Sequence, residues 1–452
     1  MNRLLPAPIL TAAGVAVGLG LMTPARADVT QQTDTQPATT LPTDVTPGTP
    51  PNPPPMAPPA DAPPKPDWLK ALTEGTLDLS LRGRYEYADI AGLDSANAVT
   101  LRTRLGYTTQ RLGGFQAAVQ LEDNRAADYD EYNAAGLNGQ GGTSIVADPE
   151  DTELNQLWID LDLVDFFSLD TQAKASARIG RQRIILDDAR FVGNVGWRQL
   201  EQTFDAATLK LQPSDGLELF YGYINAVNRI FGPDSGRDFD SNSHLINATI
   251  KNTPVGAITG FAYLLDFENG AALSSQTYGG RLSKDFDLDE GLKLGLVGSV
   301  AHQSDYADNP TGYDALYVLA EGRLTTAGGL FGGVGFESLG SDDGVAAFQT
   351  PLATAHAFNG FADVFLTTPA GGLRDYYGLV GTKLPAPFKG KLVATYHQFT
   401  SEDSSEDLGW ELDLVASHQF NPNLTGLVKY AYFDGDGLPD VERLWVQLEL
   451  SF

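Results

Sequence analysis

From Trp68 to Phe452 the chain is divided into short stretches in which apolar and polar residues alternate, and the joins between them alternate in length as well. Period-two alternation is the mark of a strand with two different faces. Candidate strands include "TLDLSLRGRYEY", "VTLRTRLGY", "ELNQLWIDLDL", "GLKLGLVGSVAHQ" and "ERLWVQLELSF". The candidate strands number about eighteen, an even number, as bacterial outer-membrane barrels require. Joins such as "PSD", "NTPVG" and "TAG" hold about three to five residues of ordinary turn chemistry. Joins of the opposite parity are mostly longer, and three run to roughly 20–35 residues, a one-sided asymmetry that a soluble sandwich has no reason to keep. The last strand places Leu444, Val446, Leu448, Leu450 and Phe452 on one face and Arg443, Gln447, Glu449 and Ser451 on the other. In lipid, an open sheet edge would leave backbone groups unsatisfied, so that strand must pair with the first. The expected fold is therefore all-β: a transmembrane antiparallel barrel over residues 67–452, with short periplasmic turns and long outer loops. A terminal strand ending in Phe also resembles the signal read by the barrel-assembly machinery, an expected partner during biogenesis.

What precedes the barrel fits export. Residues 1–27 read as a signal peptide, with Arg3 in the n-region, the apolar run "ILTAAGVAVGLGLM", and Ala25, Arg26 and Ala27 before the cleavage point. Residues 28–66 are rich in Pro, Thr, Gln and Asp, a composition that favours an extended periplasmic tether over a packed core. The chain has no cysteine, so neither disulfides nor thiolate metal sites are available. The expected location is the outer membrane of a Gram-negative cell, in contact with its lipid and lipopolysaccharide, as a monomer.

Charge supplies the next constraint. The formal net charge is −28, which argues against nucleic-acid binding. Yet Arg82, Arg84, Arg102 and Arg104 stand at period two inside the first two strands. Leu79, Leu81, Tyr85 and Tyr87 share one face of the first strand, and Val99, Leu101, Leu105 and Tyr107 one face of the second. A cation facing lipid at mid-depth costs roughly 2–4 kcal/mol. All four arginines must therefore face the lumen. The same parity turns Arg178, Arg281 and Lys293 inward, along with Glu86, Glu122, Asp160 and Glu218, and with Gln116, Gln120 and Gln156. Two readings stay open. Such an Arg–Glu lining stiffens the wall of a general diffusion porin, or its guanidinia bind and steer carboxylates, which Arg does bidentately. The excess acid then falls on the loops, where it reads as solvated surface or as divalent bridging to lipopolysaccharide. Asp434, Asp436 and Asp440 in "DGDGLPD" have the oxygen-rich spacing of a weak calcium candidate, without helical flanks.

No enzyme motif stands out. His244, His302, His356, His397 and His418 are scattered without metal-ligand spacing, and His356 reads as a structural hydrogen-bonding group. No cofactor is implied, and no nucleotide-binding loop appears, so movement through the barrel would be passive.

The stretches "GRQRIILDDARFVGNVGWRQLEQTFDA", "EYNAAGLNG", "ADPEDTELNQLWID" and "FQTPLATAHAFNGFADVFLTTP" resemble the alginate-export family of outer-membrane porins, over roughly residues 77–452. That resemblance implies an arginine-lined lumen passing a polyuronate by diffusion. It would make Arg82, Arg84, Arg102, Arg104, Arg178, Arg181, Arg183, Arg190 and Arg198 lumen and constriction cations, and Arg281 joins them by parity. It would also fold the third outer loop, with Gly193, Gly196 and Trp197, over or into the pore. The Pro-rich tether departs from the family core. The function expected is a passive channel for anionic solutes, such as small anions or an acidic polysaccharide moving outward or inward. Its alternatives are a general porin and a structural or adhesive barrel.

Overall fold

The computed structural model describes residues 67–452; the expected signal peptide and Pro-rich tether lie outside the described residues. A short helix α1 (Asp67–Thr73) leads into β1 (Thr76–Ile90), β2 (Ala96–Thr108), β3 (Phe115–Ala126) and β4 (Asp151–Asp162). After the one-turn helix α2 (Leu163–Phe166) come β5 (Lys174–Gln182), β6 (Thr203–Ser214), β7 (Leu217–Asn228), β8 (Phe239–Thr253) and β9 (Gly256–Leu265). The wall continues with β10 (Ser275–Asp289), β11 (Leu292–Asp305), β12 (Asp314–Thr326) and β13 (Leu330–Leu339). Two-residue strands β14 (Ser341–Asp342) and β15 (Ala346–Ala347) pair only with each other. The circuit ends with β16 (Leu373–Leu384), β17 (Gly390–Thr400), β18 (Asp407–Asn421), β19 (Leu424–Gly435) and β20 (Val441–Ser451).

All but β14 and β15 form one 18-stranded antiparallel sheet, and β20 pairs back on β1 from Ser80↔Ser451 to Ile90↔Val441. Phe452 adds a reciprocal pair of backbone bonds with Leu79, at 2.9 and 3.2 Å. Closure leaves no sheet edge, the condition for a spanning sheet in lipid.

The wall is inside-out relative to a soluble protein. Ile179 and Val334 are exposed at 65% and 69%, whereas Arg102 and Glu122 are buried at 1% and 0%. Outward Leu, Ile, Val and Tyr recur at period two around the ring, as a lipid solvent demands. No helix among the described residues is long and apolar enough to cross a membrane; the strands do so.

Residues 215–216, 254–255 and 327–329 make short turns at the end where the barrel begins and finishes, which is the periplasmic end of such barrels. Residues 127–150, 183–202 and 340–372 are the long connections at the outer end. Two features departed from simple alternation. The chain enters the barrel through α1, whose Leu72 carbonyl accepts a 2.8 Å bond from the Tyr107 hydroxyl. The periplasmic join after β4 is long because it holds α2, capped by the Asp162 carboxylate on Val164 N and Asp165 N.

Candidate functional site

The long loops do not stand above the barrel; they fill its middle. Residues 183–202 touch the wall at widely separated strands. The Glu201 carboxylate pairs with Arg104 on β2 at 3.4 Å and accepts from Asn155 on β4 at 2.6 Å. Arg198 donates to Glu86 on β1 at 3.0 Å, and Asp188 pairs with Arg281 on β10 at 2.5 Å. Arg190 reaches Glu337 on β13 at 2.7 Å. A loop tied to β1, β2, β4, β10 and β13 of an 18-strand ring must cross the lumen.

Residues 340–372 close the remaining side. Ala362 N and Phe361 N donate to Glu411 and Asp413 on β18 at 2.7 and 3.2 Å, and the Ala362 carbonyl accepts from Arg443 on β20 at 3.0 Å. The two loops are joined by a parallel bridge, Val192↔Leu352, with Gly193 N donating to the Leu352 carbonyl at 2.9 Å. Val195 is held at φ 49°, a conformation costly for a β-branched residue, while its N–H bonds the Thr354 hydroxyl at 3.2 Å. Such strain persists only where surrounding contacts over-determine the backbone.

At the centre of this body Trp197 is fully buried and stacks on His356, with ring centres 4.7 Å apart and planes 7° apart. Lys429 on β19 lies 3.2 Å from the Phe361 ring centre and 4.4 Å from that of Trp197, and contacts His356 Nε2. The opposite ring nitrogen, His356 Nδ1, lies 2.8 Å from Asp363.

The arginines expected to line the pore face inward, but they are covered. Arg82, Arg84, Arg102 and Arg104 are each no more than 9% exposed. Arg82 and Arg102 share Glu449 at 3.2 and 2.7 Å. Arg84 donates to the Trp197 carbonyl at 2.6 Å and lies 3.9 Å from its ring centre, and Arg104 pairs with Glu122. Arg190 and Arg198 are buried likewise. Five of these six therefore clamp the loops to the wall, while Arg102 ties β2 to β1 and β20 through Ser80 and Glu449. The physical reason is that parity fixes the direction of a side chain, while the loops and acids that meet it come from distant segments. Arg443, Lys429, Glu449 and Asp148 complete the clamp. Of these, Arg443 and Glu449 were on the polar face of the last strand; nothing local in the sequence marked Asp148.

Another set keeps contact with the open lumen. On the β3–β6 wall, Arg178 and Arg111 flank Asp160 at 3.1 and 2.7 Å, with side chains 30% and 31% exposed. Arg183, 32% exposed, donates to Gln120 at 2.9 Å and pairs with Glu201. Arg181 chelates Asp205 at 2.8 and 3.0 Å. Arg281 is mostly covered by Asp188.

The calcium candidate is corrected. Among the described residues no three His, Asp or Glu gather in a way that could hold a metal ion. Asp440 instead turns back to accept from Gly435 N at 3.0 Å, which spends its carboxylate on the backbone of the join between β19 and β20.

The alginate export family model matches residues 74–222, in line with the resemblance carried by the loop sequences. The fold is similar to Pseudomonas aeruginosa OpdQ, 16% identical over 84% of this chain and 99% of that chain, with a TM-score of 0.64. It is also similar to the outer membrane protein OpdK of Pseudomonas aeruginosa, 14% identical over 83% and 98%, at 0.65. Acinetobacter baumannii OccAB4 follows at 13% over 83% and 97%, at 0.62. Among curated proteins no sequence match is found. The architecture is that of an outer-membrane porin: a closed antiparallel barrel constricted by inward loops.

Proposed function

We propose that the chain is a passive outer-membrane channel for anionic solutes, with carboxylate-bearing saccharides of the alginate type as the preferred class. One observation carries this reading. Where the lumen stays accessible beside β3–β5, it presents Arg111, Arg178 and Arg183, with Gln116 and Gln120 on β3 and Gln156 opposite Gln120 on β4. Arg111 and Arg178 share the single carboxylate of Asp160, a local excess of positive charge in a chain of net charge −28, and guanidinium forks match carboxylates geometrically. Low-dielectric walls focus that field along the path. Amide side chains between the cations offer hydrogen bonds to hydroxyl groups, as a saccharide needs. The match to the alginate export family supports the same substrate class.

The test is the reversal potential of single channels in a salt gradient. An anion preference that shrinks in Arg178→Gln/Arg183→Gln is expected. Equal or cation-favouring selectivity in the wild type would overturn the proposal in favour of a general porin.

A further inference from the structure

Every lumen guanidinium described so far has a carboxylate beside it. On the far side of the barrel two lysines break that pattern. Lys383, next to last in β16, and Lys391, second in β17, are cross-strand partners on the inward face, at the periplasmic end. Among the described residues neither forms an ion pair with a carboxylate. Like charges placed directly opposite on a sheet repel, so the pair is a local cost that folding alone does not require.

An aromatic ring holds Lys391 in place. The Phe331 ring lies against Gly381, where a Cβ would stand 2.4 Å from the ring. Lys391 Nζ is 5.5 Å from the Phe331 ring centre, and the Arg323 guanidinium is 4.0 Å from it. One buried aromatic thus supports two cations by its π face. The acids of the same mouth lie nearer to other groups than to the two lysines, Glu321 standing on the same face as Arg323, two residues before it. Glu321 accepts from the Tyr377 hydroxyl at 2.8 Å, Glu218 is paired with Lys251 at 2.6 Å, and Asp287 with Lys293 at 3.5 Å. Asp285 on β10 leans over Gly295 of β11, whose next cross-strand partner is Arg323, so it faces Arg323 rather than the two lysines.

Asp160, between Arg111 and Arg178, is on β4, and Phe331 is on β13. In ring order these strands are the fourth and thirteenth, half of the 18-strand circuit apart. With strands about 4.8 Å apart and tilted near 40°, the backbone ring is about 35 Å across. The two cationic sets therefore face each other across the periplasmic mouth.

We propose that Lys383 and Lys391, supported by Arg323 over Phe331, form a carboxylate-capture site that receives an acidic saccharide from the periplasm before it reaches the loop-filled constriction. This rests on the reading of the lumen as an anion path, and it adds a side from which the chain is loaded. A polymer held by both walls would span the mouth with carboxylates several sugar units apart on opposite cation sets, while a short monoanion would use either wall alone.

The experiment is side-resolved block of single channels by oligoguluronate in planar bilayers. Insertion orientation is assigned with a membrane-impermeant reagent on a single cysteine placed in an outer loop. Lys383→Gln/Lys391→Gln should lower the association rate for block from the periplasmic side about fivefold or more, leaving block from the outer side unchanged. Lys391→Arg alone should retain the wild-type rate, and heat-modifiability on gels checks that each barrel is folded. An anion-selective wild type whose double variant is blocked as fast as before from the periplasm overturns this inference alone. A wild type without anion preference overturns the functional reading beneath it.

Discussion

Arg82 and Arg102 share one carboxylate, Glu449, and that carboxylate stands on the strand that closes the barrel. Replacing it with Gln leaves two nearly buried guanidinia without their counter-charge. Breaking a fully buried pair costs several kcal/mol, but Glu449 keeps 25% of its side chain exposed, so about 2 kcal/mol is expected. Glu449→Gln should lower the temperature at which the folded band converts to the unfolded one in gel electrophoresis. His356 gives a second expectation, this time in pH. Burial, with Lys429, Arg198, Arg84 and Arg443 nearby, holds its imidazole well below the ordinary value, so it stays neutral in the folded loop. The detached loop takes up a proton near pH 6.5 and the folded one does not. Its contribution to loop docking is therefore present above about pH 6.5 and is lost as the pH falls below it. Current noise from loop opening should rise between pH 7 and pH 5, and His356→Gln should remove that part of the rise.

The loop elements act as one body because residues 183–202 and 340–372 are joined to each other as well as to the wall. Trp197→Ala removes the ring stacked on His356 and packed against Arg84 and Trp445. Truncating a buried Trp costs about 3–5 kcal/mol, enough to detach a loop while the closed sheet stays intact. A several-fold rise in single-channel conductance is expected, with unchanged heat-modifiability. The chain has no native cysteine, so Val192→Cys with Leu352→Cys gives a clean cross-link at the parallel bridge. Oxidation should suppress loop noise without closing the channel, and noise unchanged by oxidation would show that the loops do not move apart. The strands behind this body were legible in the sequence, since alternation and the one-sided loop lengths sufficed for a barrel of about eighteen. The inward direction of Arg82, Arg84, Arg102 and Arg104 was legible too. Their burial was not, because Asp148, Glu201 and Glu449 reach them from segments far along the chain. Helices α1 and α2 are each too short to impose a 3.6-residue period on the sequence.

Across the molecule, charge is sorted by place. Acidic side chains crowd the outer loops, mid-barrel charges cancel in the clamp, and Arg111, Arg178, Lys383 and Lys391 stand toward the periplasmic end with access to the lumen. Composition reports only the sum, so an acidic chain can carry an anion path. The central claim is that this path prefers carboxylates over neutral sugars of the same size. The direct measurement is flux through the purified protein in liposomes, comparing a short oligouronate with a neutral oligosaccharide of equal length at equal gradient. Faster oligouronate flux at low salt, falling toward the neutral rate as salt screens the wall, is the predicted result. Equal flux of both at every salt concentration would contradict it.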